Sequence, residues 1–292
     1  SGGQVLISGD DFYSSPRLNP NGARLAWLTW NHPNLPWDGA ELWVGDLNAD
    51  GTVGRAQRVA GGKDESIFQP EWSPDGVLYF VSDRTGWWNL YRQCAGKTET
   101  LCPMEAEFGR AQWQFGMSTY AFASAERILC VYNVRGFWQL GSLDTAKRKL
   151  DSIETPYTML TGLRASPGGI LFTAATPTEH AALVRFDPAT RRLDVWQPLT
   201  GVAVAPGYLS VPQAIEFPTE NGLTAHAFFY PPRNRDYTAP PGEKPPLIVV
   251  SHGGPTGAAA PVLNLEHQFW TSRGFAVADV NYGGSTGFGR AY

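Results

Sequence analysis

One local pattern recurs four times in the first two thirds of the chain. It runs as a turn, an apolar strand, a second turn, then a second strand with a central leucine. The turns Asn19-Pro20-Asn21-Gly22, Ser73-Pro74-Asp75-Gly76 and Ser166-Pro167-Gly168-Gly169 open three of the units. The remaining unit, around residues 127–132, lacks the proline turn. The pattern predicts first strands over 24–30, 77–82, 127–132 and 170–175. It predicts second strands over 41–47, 89–93, 138–143 and 182–187. Leu42, Leu90, Leu140 and Leu183 then recur at spacings of 48, 50 and 43 residues. A period of roughly 40–50 residues is that of a four-stranded propeller blade. Proline presets φ, and Asn-Gly or Asp-Gly supplies positive φ, so such tetrapeptides start strands reliably. An open sandwich does not repeat one local motif four times, and no 3.6-residue periodicity competes here.

Composition agrees with short strands. The 292 residues include 11 Trp, 11 Tyr and 15 Phe beside 32 Gly and 23 Pro, so aromatics alternate with turn-formers. With 42% hydrophobic and 17% charged residues, the chain is expected to be globular, at about two domains for its length. The 23 basic and 27 acidic residues give a net charge of −4 with no basic stripe, which argues against a nucleic-acid partner. No apolar run approaches the roughly 18–20 residues of a membrane span, so no membrane partner is expected.

Cys94, Cys102 and Cys130 are odd in number and form no CxxC. They are read as free thiols of a reducing, cytoplasmic compartment, with a Cys94–Cys102 bridge as the alternative. Neither a metal nor an organic cofactor is expected. In 82–91, Asp83 and Arg84 are expected to brace a turn while Trp87 and Trp88 pack; a ligand-facing loop is the alternative. The 31–39 insertion is longer than a hairpin needs and is a candidate for contacting a substrate or a second domain. His32 within it is read as a loop residue.

The repeat fades after Trp196. Strands are predicted over 209–217, 224–230 and 247–251, with a Pro-rich linker at 231–246. The run Leu247-Ile248-Val249-Val250-Ser251 reads as a strand buried on both faces of a doubly covered sheet. Val262, Leu265, Phe269 and Trp270 predict a helix over 262–273 stopped by Gly274, and another strand follows at 275–280. Strand, helix, strand with short connections is one unit of a parallel sheet. The predicted architecture is therefore a partial β-propeller of about four blades, residues 1–205. It is followed by the N-terminal part of an α/β-hydrolase domain, residues 206–292.

Between strand and helix lies His252-Gly253-Gly254-Pro255. Two glycines at the C-terminal end of such a strand let the backbone approach a ligand with no Cβ in the way. Their N–H groups suit a negative oxygen, and α/β-hydrolases build half of the oxyanion hole from a Gly-rich loop in this place. Such donors are worth roughly 2.7–4 kcal/mol in a transition state. Gly283-Gly284-Ser285-Thr286-Gly287 matches the nucleophile pattern Gly-x-Ser-x-Gly, with His252 or His267 as conceivable bases. Chain order opposes it: the nucleophile of such folds follows one strand later and is followed by a helix, whereas Phe288-Gly289-Arg290 reads as loop.

These segments resemble the prolyl oligopeptidase family of serine peptidases, most closely its acylaminoacyl-peptidase and dipeptidyl-peptidase-like branch. The resemblance rests on residues 246–255, 269–277 and 281–290, and on the blade segments 70–76 and 82–91. It implies a propeller that covers a hydrolase active site and admits short peptides, and a Ser-Asp-His triad working through an acyl-enzyme. It makes the Gly254 N–H an oxyanion donor, with His252 where some branches carry a tyrosine. Gly283 stands where the family's pattern has Arg. The triad is expected downstream of Tyr292, in the remainder of the hydrolase domain, and this segment alone is expected to be inactive. Asp38, Glu41, Glu65 and Glu71 are candidates for holding a peptide amine, though turn or surface roles suit each. A non-catalytic propeller binding module with a degenerate hydrolase tail, and an esterase of the same fold, remain alternatives. The oligomeric state is left open.

Overall fold

The structure, a computed structural model, describes residues 3–198, 202–254 and 256–292. Among them the chain forms twenty strands and one α-helix, arranged in five four-stranded sheets. Four sheets are built in chain order by hairpins, as propeller blades are. The first holds β1 (Phe12–Leu18), β2 (Arg24–Trp30), β3 (Glu41–Leu47) and β4 (Val53–Gly61). The second holds β5 (Ile67–Trp72), β6 (Leu78–Ser82), β7 (Asn89–Cys94) and β8 (Lys97–Thr100). The third holds β9 (Tyr120–Ser124), β10 (Arg127–Val134), β11 (Phe137–Asp144) and β12 (Lys149–Ile153). The fourth holds β13 (Met159–Ser166), β14 (Gly169–Ala175), β15 (Ala182–Asp187) and β16 (Arg192–Pro198).

The turns work as their residue types dictate. In the first blade Asn19 closes the turn through its carbonyl, which accepts from Gly22 N–H at 2.9 Å. Its side-chain oxygen accepts from Arg24 N–H at 2.9 Å, at the start of β2. Ser73 repeats this with Gly76 N–H at 2.9 Å and, through Oγ, with Val77 N–H at 2.9 Å. The third blade needs no such device, because Ser124 and Arg127 are paired directly across a two-residue connection. One register differs from expectation. Leu42, Leu90 and Leu140 are fully buried, but Leu183 is only partly so and Val184 beside it is buried. Side chains alternate with period two, so a one-residue offset exchanges the faces.

Two compact units emerge. One comprises Ser1–Tyr132, Gly141–Ile153 and Gly289–Ala291; the other comprises Asn133–Leu140, Glu154–Phe288 and Tyr292. In the first, Ala26, Leu28, Leu42, Val44, Ile67 and Phe80 form a continuous core. Each large side chain so buried contributes about 1.5–3 kcal/mol. Polar groups stitch the sheets of this unit. Trp72 donates its indole N–H to Arg17 O at 3.0 Å, and Arg17 pairs with Glu71 at 2.9 Å. The buried Gln69 side chain accepts from Thr119 N–H at 2.7 Å and donates to Tyr120 O at 2.8 Å.

The short segment Gly289–Ala291 belongs to this first unit, and two buried carboxylates hold it. Arg290 pairs with Asp83 and donates to Asp38 O at 2.7 Å. Asp83 also accepts from Ser66 N–H at 2.7 Å, so it braces its turn as expected, while Arg84 pairs with Glu65 at 2.8 Å. Glu107 accepts from Trp88 N–H at 2.8 Å and Gly289 N–H at 3.0 Å. Burial pushes the Glu107 carboxyl up to about 7 against those two bonds, with the Asp83 charge adding to the rise. Asp83 is raised too, by burial first.

The second unit contains the fourth blade and a mixed sheet. Here β17 (Gln213–Pro218), β18 (Thr224–Tyr230), β19 (Leu247–Ser251) and β20 (Ala276–Asn281) lie in the order β17-β18-β20-β19. The pair β19–β20 is parallel and the others are antiparallel. Helix α1 (Leu265–Thr271) connects the parallel strands. Four boundaries are corrected. The strand expected from residue 209 begins at Gln213, because Pro206 starts a short 3-10 turn and Pro212 has no N–H to give a ladder. The helix expected from residue 262 begins at Leu265, because the Asn264 side chain accepts from Glu266 and His267 N–H and so caps it there. Its end moves to Thr271, where Gly274 N–H bonds to Thr271 O. The strand expected over 275–280 runs over Ala276–Asn281.

β19 is also not covered on both faces. It is the edge of the sheet, with Leu247 54% and Val249 64% exposed. Only Ile248 and Val250 pack inward, against Phe228, Tyr230 and Val277. An all-apolar strand thus behaves as an alternating one, because among the described residues nothing packs on its other face.

All three cysteines are free, so the alternative Cys94–Cys102 bridge is absent. Burial lifts the Cys102 thiol to about 12 and Cys130 well above its ordinary value, whereas Cys94 is exposed. A thiol reagent is therefore expected to modify Cys94 in the native protein and to reach Cys102 and Cys130 only after denaturation, as peptide mass mapping would show.

Glu107 makes a pH prediction. Its folded pKa lies above the ordinary carboxylate value of 4.5, so the folded state holds the proton more tightly. Its favourable contribution is complete below about 4.5 and is lost as pH rises through about 7. The stability of the native sequence relative to Glu107→Gln should therefore increase as pH falls from 7.5 to 4.5. The increase should reach at most about 3 kcal/mol, read by urea unfolding at each pH. A pH-independent difference would refute the assignment.

Candidate active site

The parallel register of β19 and β20 places Ser251 opposite Val280. The loops that follow the two strands therefore leave the sheet from the same end, side by side. Loop 252–259 follows β19 and loop 282–287 follows β20.

Four residues at the end of β20 and just after it join the loops. Asn281, the last residue of β20, accepts from Ala259 N–H at 2.8 Å through its side chain. Thr286 N–H donates to Gly257 O at 3.0 Å. The Tyr282 hydroxyl donates to the carbonyls of His252 at 2.9 Å and Gly254 at 3.0 Å. Ser285 Oγ lies 2.7 Å from His252 Nε2. The Tyr282 ring stacks on the His252 imidazole with centroids 4.4 Å apart and planes 18° from parallel. Tyr282 thus holds the loop by its carbonyls and by the face of its histidine.

Gly253 and Gly254 are exposed, and Gly254 has φ +72°, where a side chain is strained. Among the described residues neither glycine N–H finds a hydrogen-bond partner. With the carbonyls on either side of Gly253 tied to one phenol, the chain presents donors that remain open. Pro255, the fourth residue of this motif, lies outside the described residues. Gly257 is small for a steric reason. A Cβ there would come within 2.6 Å of His252 Nδ1 and 2.9 Å of Gly253 O.

Of the two histidines conceivable as partners of Ser285, the structure brings up His252. His267, on α1, instead faces Asp279 of β20, with Nε2 4.0 Å from Oδ2. Burial lowers the His267 pKa and raises that of Asp279, while their mutual attraction opposes both shifts. Ser285 is only 3% exposed, so a hydroxyl at nucleophile–base distance from an imidazole is closed off from a substrate carbonyl. Tyr282 is the residue of this candidate site that the sequence did not reveal. Its position just past β20 was visible; its reach back to two carbonyls depends on the register.

The acidic residues named as amine anchors all have partners in the first unit. Glu41 pairs with Arg58 at 2.7 Å, Glu65 with Arg84 at 2.8 Å and Glu71 with Arg17 at 2.9 Å. Asp38 accepts from Leu35 N–H at 2.9 Å. The 31–39 loop is braced from several sides: His32 N–H donates to Asp11, Ser66 Oγ donates to Pro36 O, and Trp37 packs on Trp113. Among the described residues, no group of three or more His, Cys, Asp and Glu is placed to hold a metal ion, and no helix is long and apolar enough to cross a membrane.

No family model matches the chain. Solved structures and curated relatives do. A puromycin hydrolase is 40% identical with a TM-score of 0.91, over 97% of this chain and 43% of that one. A puromycin-hydrolyzing peptidase of Mycobacterium tuberculosis is 39% identical with a TM-score of 0.93, over 99% and 44%. Prolyl oligopeptidase B of Galerina marginata shares the fold, with a TM-score of 0.72 at 14% identity over 95% of this chain. Dipeptidyl-peptidase 5 of Aspergillus fumigatus is 27% identical over 289 residues, 98% of this chain and 32% of the relative.

Over nearly its whole length the chain is similar in sequence and fold to puromycin-hydrolyzing enzymes, and it shares its fold with prolyl oligopeptidases. It spans less than half the length of the solved structures named above and about a third of the curated relative. Its four blade-type sheets match the propeller portion of prolyl oligopeptidase-family enzymes.

The two loop glycines separate support from exposure. Gly257→Ala should lower stability by about 1–3 kcal/mol, because a methyl there overpacks the His252 ring and a backbone carbonyl. Gly253→Ala, where a Cβ meets nothing within 4 Å, should change it by less than about 0.5 kcal/mol. Urea unfolding of the two variants checks the difference; equal effects would contradict the packing described.

Proposed function

We propose that this chain supplies the propeller and the oxyanion loop of a serine peptidase that hydrolyses short peptides through an acyl-enzyme. Under this reading residues 1–205 are the blades and 206–292 open an α/β-hydrolase domain. The proposed boundary falls between β16 and β17. The observation that carries the reading is the Gly253-Gly254 loop at the C-terminal end of a parallel strand, with open N–H groups and carbonyls tied back by Tyr282. A strand–helix–strand unit with this loop between strand and helix favours a hydrolase over a propeller that only binds.

In the mechanism, an acyl transfer develops negative charge on the substrate carbonyl oxygen. The Gly254 N–H is one donor to that oxygen. It is already aimed, so little reorganisation accompanies the reaction. His252 and Tyr282 shape the loop from behind and do not touch the reacting carbon. The nucleophile is a serine other than Ser285. The relatives that hydrolyse puromycin make an aminoacyl amide the first substrate to try. The free thiols suit a cytoplasmic setting.

The test uses the full-length protein. A fluorophosphonate should label a serine other than Ser285, located by peptide mass mapping. Gly254→Ala should pull φ away from +72° and lower kcat on puromycin or an aminoacyl anilide by about 10²-fold, the usual loss for one oxyanion donor. An adduct on Ser285, or an unchanged kcat in Gly254→Ala, would sink the reading.

A further inference from the structure

The Gly-x-Ser-x-Gly segment has no role in the mechanism above, yet its serine makes a short bond with the histidine of the oxyanion loop. We propose that Ser285 is a positioning residue: it fixes the tautomer and rotamer of His252 and thereby the aim of the Gly254 N–H. This rests on the oxyanion reading of residues 252–254.

The proton inventory around the imidazole leads there. Nδ1 faces two oxygens, Gly253 O at 3.3 Å and the Tyr282 phenol oxygen at 3.3 Å. The phenol has one proton, and its nearer acceptors are the carbonyls of His252 at 2.9 Å and Gly254 at 3.0 Å. The phenol oxygen lies over the face of the stacked ring, so the acceptor in reach of an Nδ1 proton is Gly253 O, which can only accept. Placing the ring proton on Nδ1 satisfies it. In a neutral imidazole Nε2 is then a lone pair, and the Ser285 hydroxyl donates to it across 2.7 Å.

Ser285 is suited to this and not to attack. Its main chain is fixed by a bond from its N–H to Tyr282 O at 2.9 Å. Its side chain is 3% exposed, so it reaches the ring from a place no substrate carbonyl enters. With the hydroxyl removed, Nε2 is left without its donor, and the ring is free to turn or to move its proton to Nε2. Nδ1 would then become an acceptor facing Gly253 O, and the loop would have to shift. Sub-ångström errors in an oxyanion donor reduce turnover more than substrate binding, because the donor acts on the transition state.

The experiment compares Ser285→Ala and Ser285→Thr in the full-length protein, on an aminoacyl anilide, with Gly254→Ala alongside. Ser285→Ala should lower kcat roughly tenfold with KM within about twofold, the scale of a lost supporting contact, and Ser285→Thr should recover most of it. In the native protein, ¹⁵N-histidine NMR, with His252 assigned by His252→Gln, should show the proton on Nδ1. Unchanged kcat in Ser285→Ala while Gly254→Ala is impaired would overturn this inference and leave the oxyanion reading standing. Unchanged kcat in both would remove both. A loss beyond roughly 10⁴-fold in Ser285→Ala would make Ser285 a nucleophile and overturn the positioning role. Should Ser285→Ala not fold, the native spectrum decides alone, since a proton on Nε2 contradicts the assignment.

Discussion

The parallel pairing of β19 with β20 is the constraint from which the candidate site follows. Parallel neighbours end at the same edge of a sheet, so the residues after Ser251 and after Asn281 must share one small volume. An antiparallel pairing would send them to opposite ends. The connection between them holds one short helix, and Asn264 fixes where that helix starts. Once both loops are at the same end, every polar group in them needs a partner or water. The phenol of Tyr282 satisfies the carbonyls of His252 and Gly254 at once, which leaves the glycine N–H groups as the polar groups without a partner among the described residues.

The blades show the same economy with different parts. A strand start needs its first N–H satisfied outside the ladder, and a short polar side chain at the head of the turn does this: Asn19 in one blade, Ser73 in the next. Between blades of the first unit there are polar joins, buried at Gln69 and half-buried at Trp72 and Arg17. An indole N–H, a glutamine amide and an arginine each reach main-chain or carboxylate oxygens of the neighbouring sheet. Apolar faces give such sheets their cohesion, but hydrogen bonds with defined partners select one register over its neighbours.

What could be read from the sequence divides along the same line. The inner strands β2, β3, β6, β7, β10, β11, β14 and β15 announce themselves because they are apolar and bounded by turns. The outer strands do not. Residues 55–58 of β4 and most of β16 are exposed, so no hydrophobic period marks them, and a four-stranded sheet is inferred from two visible strands. Leu183 misled the register because a leucine stands on the half-buried face next to a fully buried Val184. The loop of His252, Gly253 and Gly254 was legible as a motif, since its chemistry is local. Tyr282 and Ser285 were not legible as its supports. Their partners lie 28–33 residues earlier, and only the strand register brings them together.

A serine hydroxyl 2.7 Å from an imidazole nitrogen is the distance expected of a nucleophile and its base, so distance cannot assign a role here. Three other observations decide. The oxygen is buried, its own backbone is tied into the turn after β20, and the far side of the imidazole faces a phenol and a carbonyl where a triad would place a carboxylate. A carboxylate there would stabilise the imidazolium that forms when serine attacks; two neutral oxygens stabilise it far less. The half-buried carboxylate Asp279 is drawn first to His267 on the helix and only secondarily to His252. The pair therefore has the geometry for proton sharing with no carboxylate bonded to the far nitrogen of its imidazole. In the proposed oxyanion loop, that combination produces rigidity and not reactivity.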